Sequence, residues 1–253
     1  MRKKNPVIIA LDVPTRKEAE HLVRQLIKYV SIFKIGHQLF ISEGRDIIHM
    51  VQDNGGEVFL DLKFHDIPSV ISNAVEVAVK EKVYMLTLHS LGGRAMLSEV
   101  AKRVEALDEK GGIRRPLLLG VTILTSLSEN DLSELGFSLS MKEEIVRLAI
   151  LSKECGLNGI VCSGEEISLI REKLPAHPDP DVTSGEAGGK EKFLIVTPGV
   201  RMETVPSDDQ RRIITVEDAI RSGADYLVMG RSIIESKEPR KKIELILEKL
   251  SKL

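Results

Sequence analysis

Residues 58–68 read Val58-Phe59-Leu60-Asp61-Leu62-Lys63-Phe64-His65-Asp66-Ile67-Pro68, an apolar run that ends in two acids and a lysine. The period of two along a strand predicts that Asp61 and Lys63 share one face, with Phe59 below them. Because burying an ion costs several kcal/mol and pairing it often only breaks even, such charges rarely serve stability alone. The stretch therefore indicates a functional site at a strand end; a solvated loop with a chance ion pair is the alternative.

Short β-rich runs like this one recur along the chain. The predicted strands are Val7–Leu11, Ile32–Ile35, Val58–Leu62, Met85–His89, Leu117–Val121, Gly159–Cys162, Phe193–Val196 and Tyr226–Met229. Amphipathic segments separate them, with apolar residues at every third or fourth position, as in Arg16–Tyr29, Ser69–Lys80, Met141–Cys155 and Val216–Ser222. Strands alternating with helices over a chain of this length predict an α/β protein, a (β/α)8 TIM barrel formed by residues 1–253 as one domain. An open doubly wound sheet is the competing fold.

One segment interrupts the alternation of strands and helices. Residues 175–191 are dense in proline, glycine and acid, with almost nothing apolar to bury. We expect a flexible surface insertion before the seventh strand, not a domain boundary. Because that strand starts at the face of the barrel away from the expected site, we expect no catalytic role for the insertion.

The composition excludes several classes of protein. The chain of 253 residues has 36 basic and 38 acidic side chains, a net charge of −2, which does not favour a nucleic-acid surface or a basic membrane anchor. Its apolar runs fall short of the roughly 18 residues that span a bilayer. The two cysteines, Cys155 and Cys162, form neither a disulfide framework nor a metal-binding spacing. We therefore expect free thiols in a reducing cytoplasm.

Polar residues occur where the predicted strands end, and in a barrel of this type those carboxyl ends form the active face. They are Asp12, Lys34, Asp61, Lys63, Asp66, His89, Thr125, Arg201, Gly230 and Arg231. Lys34 is the most telling, because a lysine within an apolar strand needs an anion nearby. Taken alone, Asp12 is more typical of a turn or cap residue, and His89 is interpreted as a structural histidine outside the site. The six histidines lack HxH and HExxH spacings, so we expect no metal site.

The last two strand ends indicate an anion site. Gly230 allows close backbone approach, and Arg231 places a guanidinium where a helix begins. Barrels of this type often bind phosphate after strands seven and eight. The segment 199–212 adds Arg201, Gln210, Arg211 and Arg212, and it is long enough to serve as a lid. For Arg211 and Arg212, a solvated surface position is the alternative.

Over nearly its whole length the chain resembles orotidine 5′-monophosphate decarboxylase of the bacterial type. Seven motifs carry the resemblance, and they occur in order at the predicted strand ends. They are Ala10-Leu11-Asp12, Phe33-Lys34-Ile35-Gly36, Asp61-Leu62-Lys63-Phe64-His65-Asp66-Ile67-Pro68, Val121-Thr122-Ile123-Leu124-Thr125-Ser126, Val196-Thr197-Pro198-Gly199-Val200-Arg201, Asp209-Gln210-Arg211-Arg212 and Met229-Gly230-Arg231.

The resemblance implies decarboxylation of orotidine 5′-monophosphate to UMP and CO2, the final step of pyrimidine nucleotide synthesis, without cofactor or metal. It implies a catalytic network of Lys34, Asp61, Lys63 and Asp66, in which Lys63 protonates C6 of the base. Asp66 would come from the partner subunit, which makes the enzyme a homodimer with shared sites. Substrate contacts would come from Asp12, Lys34, Asp61, Ile67, Pro68, Val70, Thr125, Arg201, Gln210, Gly230 and Arg231.

The chain departs from the family pattern at Val70, where relatives usually carry a threonine. Valine cannot supply the hydroxyl, and a lost neutral hydrogen bond is worth roughly 0.5–1.5 kcal/mol, so we expect weaker binding and an active enzyme. Two alternatives are a metal-dependent sugar-phosphate decarboxylase or aldolase of the same superfamily, and a non-catalytic phosphate-binding barrel. The first places an acid on strand two as a metal ligand, where this chain has Lys34.

Overall fold

The computed structural model describes residues 5–109, 114–175, 192–202 and 214–253. The eight predicted strands are all present, with ends within two residues of the predicted ones. In chain order the strands are β1 Val7–Ala10, β2 Ile32–Ile35, β3 Glu57–Phe64, β4 Met85–His89, β5 Leu117–Val121, β6 Gly159–Val161, β7 Leu194–Thr197, β8 Val200–Arg201, β9 Ile214–Thr215 and β10 Tyr226–Met229.

Eight of these strands close into a parallel barrel in the order β1-β10-β7-β6-β5-β4-β3-β2, and β2 returns to β1. The prediction of a (β/α)8 barrel is therefore confirmed. Two strands were not predicted: β8 and β9 form a separate parallel pair, with Val200 opposite Ile214. β8 lies at the start of the expected lid, residues 199–212, and β9 follows it; residues 203–212 of the lid lie outside the described ranges. Residues 176–191 of the expected insertion also lie outside them.

Helices connect the barrel strands and cover the outside of the sheet. They are α1 Arg16–Leu26, α2 His37–Glu43, α3 Asp46–Asp53, α4 Pro68–Lys80, α5 Gly93–Glu109, α6 Glu129–Glu134, α7 Met141–Glu154, α8 Ile167–Lys173, α9 Val216–Arg221, α10 Arg231–Ile234 and α11 Pro239–Ser251. Local sequence explains their starts. Ser140 and Glu143 form a reciprocal capping box at α7, and α4 begins at Pro68, whose missing N–H costs nothing in the first turn.

Successive side chains along each barrel strand point alternately into two apolar environments. Outward side chains pack under the helices in the larger core, whereas inward ones such as Ile8, Phe59 and Val228 fill the barrel. At the amino-terminal end the hydroxyls of Tyr84 and Tyr226 lie 3.1 Å apart and form a hydrogen bond with each other. Apolar layers and this tyrosine pair fill the lower part of the barrel, and we expect a ligand to enter at the carboxyl end.

Cys155 and Cys162 are buried and unbridged, and burial raises the pKa of the Cys162 thiol well above its usual range. The expected cytoplasmic location stays a prediction. Within the described ranges, the helices are too short or too polar to cross a bilayer.

A substitution at Gly159 tests how closely β6 and β7 pack in the closed barrel. A Cβ at position 159 would lie 2.4 Å from the backbone oxygen of Leu194, which cannot move without breaking the ladder. We expect Gly159→Ala to lower the free energy of unfolding by at least about 2 kcal/mol, measured by urea denaturation. At Gly36 a Cβ would meet its nearest atom at 3.5 Å, an ordinary contact. Gly36→Ala is therefore the matched control, and equal effects of the two variants would contradict the account.

Candidate active site

A cavity of about 440 Å³ lies at the carboxyl end of the barrel strands. Its volume is within the range of roughly 300–1,000 Å³ typical of small-molecule sites. The lining includes eight residues that the sequence predicted for the site, namely Asp12, Lys34, Asp61, Lys63, Thr125, Arg201, Gly230 and Arg231. The structure thus brings together side chains from the ends of β1, β2, β3, β8 and β10 and from the loop after β5.

Lys34 links the first three strands of the barrel. Its ammonium group lies 3.3 Å from Asp12 Oδ1 and 3.6 Å from Asp61 Oδ2. The Lys34 side chain is only 12% exposed, whereas that of Asp12 is 51% exposed. The expectation that a lysine inside an apolar strand needs an anion is confirmed, and here two carboxylates provide it.

Asp61 is, like Lys34, a largely enclosed ion, with 14% of its side chain exposed. Its Oδ1 accepts hydrogen bonds from Lys63 Nζ and from the hydroxyl of Thr87, both at 3.0 Å. Burial is the largest single effect and raises its pKa, but it is outweighed by the charges of Lys34 and Lys63 and by the two hydrogen bonds. The net result is a pKa below the usual value, so Asp61 is ionised at neutral pH.

The backbone around Lys63 is irregular, which corrects the simple alternation expected along this strand. Between β3 and β4 the register pairs Leu60 with Leu86 and then Phe64 with Leu88, so three residues of β3 oppose the single Thr87. Lys63 itself has φ +46°, in the left-handed region, at a cost of order 1–3 kcal/mol for a residue with a Cβ. Its side chain reaches Asp61 through this bulge and not through regular pleating.

The cavity also carries the expected anion-binding groups. Arg201 on β8 and Arg231 at the start of α10 both line it. Gly230 approaches Asp12 closely, since a Cβ there would lie 3.2 Å from Asp12 Oδ2. A side chain at position 230 would therefore crowd Asp12. Gln210, Arg211 and Arg212 lie outside the described residues, and their expected roles stay predictions.

Asp66 and the segment after it lie apart from the residues that line the cavity. Asp66 is exposed, and its carboxylate accepts a hydrogen bond of 2.6 Å from the backbone N–H of Ile67. Ile67 and Val70 are 61% and 47% exposed, large values for apolar side chains. Pro68, the first residue of α4, is half-buried. The four residues Asp66, Ile67, Pro68 and Val70 are thus available at the surface.

His89 lies outside the cavity lining, as expected. Its ring stacks on His65 with centroids 5.2 Å apart, and its Nδ1 accepts a hydrogen bond from the N–H of Leu91. Burial is the main cause that lowers the pKa of His89 to about 4, with His65 and Lys63 adding to the effect. A neutral, structural imidazole fits these contacts.

Sequence reasoning missed some residues that line the cavity and one residue, Thr87, that lies beside it. Thr87 went unnoticed, although a hydroxyl residue inside the apolar strand 85–89 was a usable signal. Ser232 and Glu235 also line the cavity, next to Arg231 in the chain, but they follow the strand end and carried no motif of their own. The apolar lining residues Ala10, Phe59, Val161 and Val228 could be recognised only from the closure of the barrel.

The described side chains around the cavity do not suit a metal ion. Within the described ranges, histidine, cysteine and acidic side chains do not form any group of three suited to hold a metal ion. The two carboxylates of the cavity wall, Asp12 and Asp61, face the ammonium group of Lys34. The ammonium group of Lys34 therefore occupies the position between the two carboxylates. A divalent ion in that position would also need further oxygen ligands.

Comparison with known proteins decides the family. The family model described as "Orotidine 5′-phosphate decarboxylase / HUMPS family" matches residues 5–246. The chain belongs to this family. It is 44% identical to orotidine 5′-phosphate decarboxylase of Syntrophotalea carbinolica over 250 residues, covering 99% of this chain and 96% of that protein. It is 38% identical to the enzyme of the same name from Pseudomonas paraeruginosa, with 97% of each chain covered.

A solved structure of the orotidine 5′-phosphate decarboxylase family agrees with the fold. The crystal structure of orotidine 5′-phosphate decarboxylase from Lactobacillus acidophilus superposes with a TM-score of 0.79 and 31% identity, covering 96% of this chain and 97% of that one. The resemblance inferred from the seven motifs is thereby confirmed.

The electrostatic account of the cluster is tested by removing one cation. Lys34→Met deletes a positive charge that faces Asp61 and keeps the length of the side chain, so we expect the pKa of Asp61 to rise. Carboxyl-carbon NMR titration of Asp61 measures the change. Lys28→Met, at an exposed lysine after α1, is the control and should leave the pKa in place. An unchanged pKa in Lys34→Met would show that Lys34 does not stabilise the ionised carboxylate.

Proposed function

We propose that this chain decarboxylates orotidine 5′-monophosphate to UMP and CO2, the last step of pyrimidine nucleotide synthesis. The observation that carries the proposal is the Lys34–Asp61–Lys63 cluster at the mouth of the barrel, in a chain of the orotidine 5′-phosphate decarboxylase family. Relatives that bear this enzyme name match over nearly their full lengths. The cluster supplies both a buried carboxylate and an ammonium proton donor, which are the two groups that the reaction requires.

The reaction breaks the bond between C6 of the pyrimidine and its carboxylate carbon. The electron pair of that bond stays on C6 as CO2 leaves, and a proton from Lys63 Nζ then bonds to C6. The lysine regains a proton from solvent. No cofactor is needed to store the electron pair if the ammonium stabilises charge as it develops.

Asp61 would act on the carboxylate that leaves. Two like charges about 4 Å apart repel by of order 4 kcal/mol at an effective dielectric of about 20. That is a fraction of the roughly 8–23 kcal/mol by which enzymes commonly lower barriers. Lys63 would therefore contribute much of the remainder, because its ammonium attracts the charge that grows on C6.

The other proposed contacts fix the substrate against Lys63. Asp12 and Lys34 would hold the ribose, and Thr125 the pyrimidine edge. Arg201, Gln210, Gly230 and Arg231 would hold the phosphate. Binding energy from that remote group orients the base without taking part in the chemistry.

We further propose a homodimer in which Asp66, Ile67, Pro68 and Val70 complete the site of the partner subunit. Support comes from Ile67, at the N-cap of α4, and from Val70 and Val77 in the helix, which are exposed apolar residues. The spacing of seven places Val70 and Val77 on one face of the helix. In the same segment Asp66 is exposed, and Lys63 keeps 31% of its side chain accessible for a further carboxylate.

The absorbance change of orotidine 5′-monophosphate tests the activity. We expect turnover by the purified protein with EDTA present, because Lys34 already neutralises the carboxylates that would bind a metal. Lys63→Ala should keep its thermal midpoint and lose turnover by about 10³-fold or more, since it lacks the proton donor. Lys28→Ala is the control and should retain full activity. EDTA-sensitive turnover would favour the metal-dependent relatives, and near-normal activity of Lys63→Ala would remove that lysine from its role.

Hybrid dimers test the shared site. Lys63→Ala and Asp66→Asn should each be nearly inactive alone, because each variant damages both sites of its homodimer. In random 1:1 hybrids half of the dimers are mixed, and each mixed dimer contains one intact site. Steady-state turnover of the co-expressed variants should therefore return to about a quarter of the wild-type rate. Absence of any recovery in hybrids isolated by differential tags would place Asp66 in the site of its own chain.

A further inference from the structure

Thr87 occupies an unusual position beside the cluster. It lies in the middle of β4, its side chain is fully buried, and it faces the bulge of β3. Three residues of β3, Asp61 to Lys63, oppose this one residue, so the regular ladder between the two strands is interrupted here. A backbone N–H in such a bulge needs a substitute partner.

The hydroxyl of Thr87 provides that partner and makes a second bond. The backbone N–H of Lys63 donates to Thr87 Oγ1 over 2.8 Å, and the same hydroxyl donates to Asp61 Oδ1 over 3.0 Å. One oxygen thus fixes the left-handed backbone of Lys63, at φ +46°, and the orientation of the Asp61 carboxylate. With Oδ1 held by Thr87 and Lys63, Oδ2 is left facing Lys34.

We propose that Thr87 is a positioning residue, whose hydroxyl sets the geometry of Asp61 and Lys63 for decarboxylation without touching the substrate. This inference rests on the function proposed above. Thr87 is absent from the cavity lining, whereas both of its hydrogen-bonding partners belong to it. Its effect on the reaction is therefore transmitted through those two residues.

Loss of the hydroxyl has a definite electrostatic sign. The charged groups that face Asp61 are Lys34 from β2 and Lys63 from its own strand, with Asp12 beyond Lys34. The hydrogen bond from Thr87 favours the ionised carboxylate. Removing it should raise the pKa of Asp61, so activity should fall away at a higher pH on the acid side of the profile.

Three substitutions separate positioning from packing. Thr87→Val keeps the shape of the side chain and removes the hydroxyl, whereas Thr87→Ser keeps the hydroxyl and removes a methyl group. Thr197→Val is the matched control, because Thr197 is a fully buried threonine on β7 whose hydroxyl has no partner within the described ranges. Thr87→Ala takes the place of Thr87→Val should that variant fail to fold.

We expect Thr87→Val to lower kcat by about 10- to 100-fold, the loss expected for one hydrogen bond to a charged group. The acid limb of its kcat/KM profile should shift to higher pH, whereas its affinity for UMP, which lacks the carboxylate, should stay within about threefold. Thr87→Ser should recover most of kcat and the wild-type acid limb. Thr197→Val should behave as wild type.

Two readouts keep this inference separate from the proposed function. Turnover by the wild-type protein tests the function itself, and carboxyl NMR titration of Asp61 in Thr87→Val tests the hydrogen bond in the absence of any substrate. A Thr87→Val enzyme with wild-type kcat and an unshifted acid limb would overturn the positioning role. Failure of Thr87→Ser to recover kcat would also overturn it, since packing and not the hydroxyl would then be responsible.

Discussion

The candidate site depends on one arrangement, a buried carboxylate held between two ammonium groups. Asp61 faces Lys34 across 3.6 Å and Lys63 across 3.0 Å. Each attraction is of order 4 kcal/mol at 4 Å and an effective dielectric of about 20, whereas desolvation costs several kcal/mol per ion. The cluster is therefore close to neutral for stability. Its geometry has to be maintained by the surrounding barrel, whose apolar layers supply the net free energy of folding.

The third strand shows how the barrel maintains it. Phe59 points into the apolar interior with its neighbours from β1 and β10, and two residues later the same strand delivers Asp61 to the cavity. The pairing of β3 with β4 is regular up to Leu60 and is then interrupted, so the strand changes within a few residues from one that packs the core to one that lines the cavity. The strain at Lys63 is tolerated because the apolar pairs before it and Phe64 after it fix both ends of the bulge.

The barrel could be predicted because the pattern of a strand followed by a helix occurs eight times in the sequence. An error of one or two residues at a strand end does not change that pattern. The sequence predicted Lys34 and Asp61 for a physical reason, since charges inside or at the end of apolar strands need partners. It did not predict Thr87, because the role of that residue depends on the register shift between two strands, which no local pattern encodes. The pair β8 and β9 was missed for a related reason: two-residue strands carry too few side chains to show alternation.

The formal charge of the cluster differs between one chain alone and the proposed dimer. Lys34 and Lys63 balance Asp12 and Asp61, so within one chain the four groups sum to zero. A substrate carboxylate entering that neutral cluster would be attracted by the lysines about as strongly as it is repelled by the acids. In the proposed dimer, Asp66 of the partner subunit adds one negative charge beside Lys63, and the balance then opposes the carboxylate. The added negative charge leaves Lys63 in place, so the proton donor stays next to C6. Formation of the dimer and loss of CO2 would therefore favour each other.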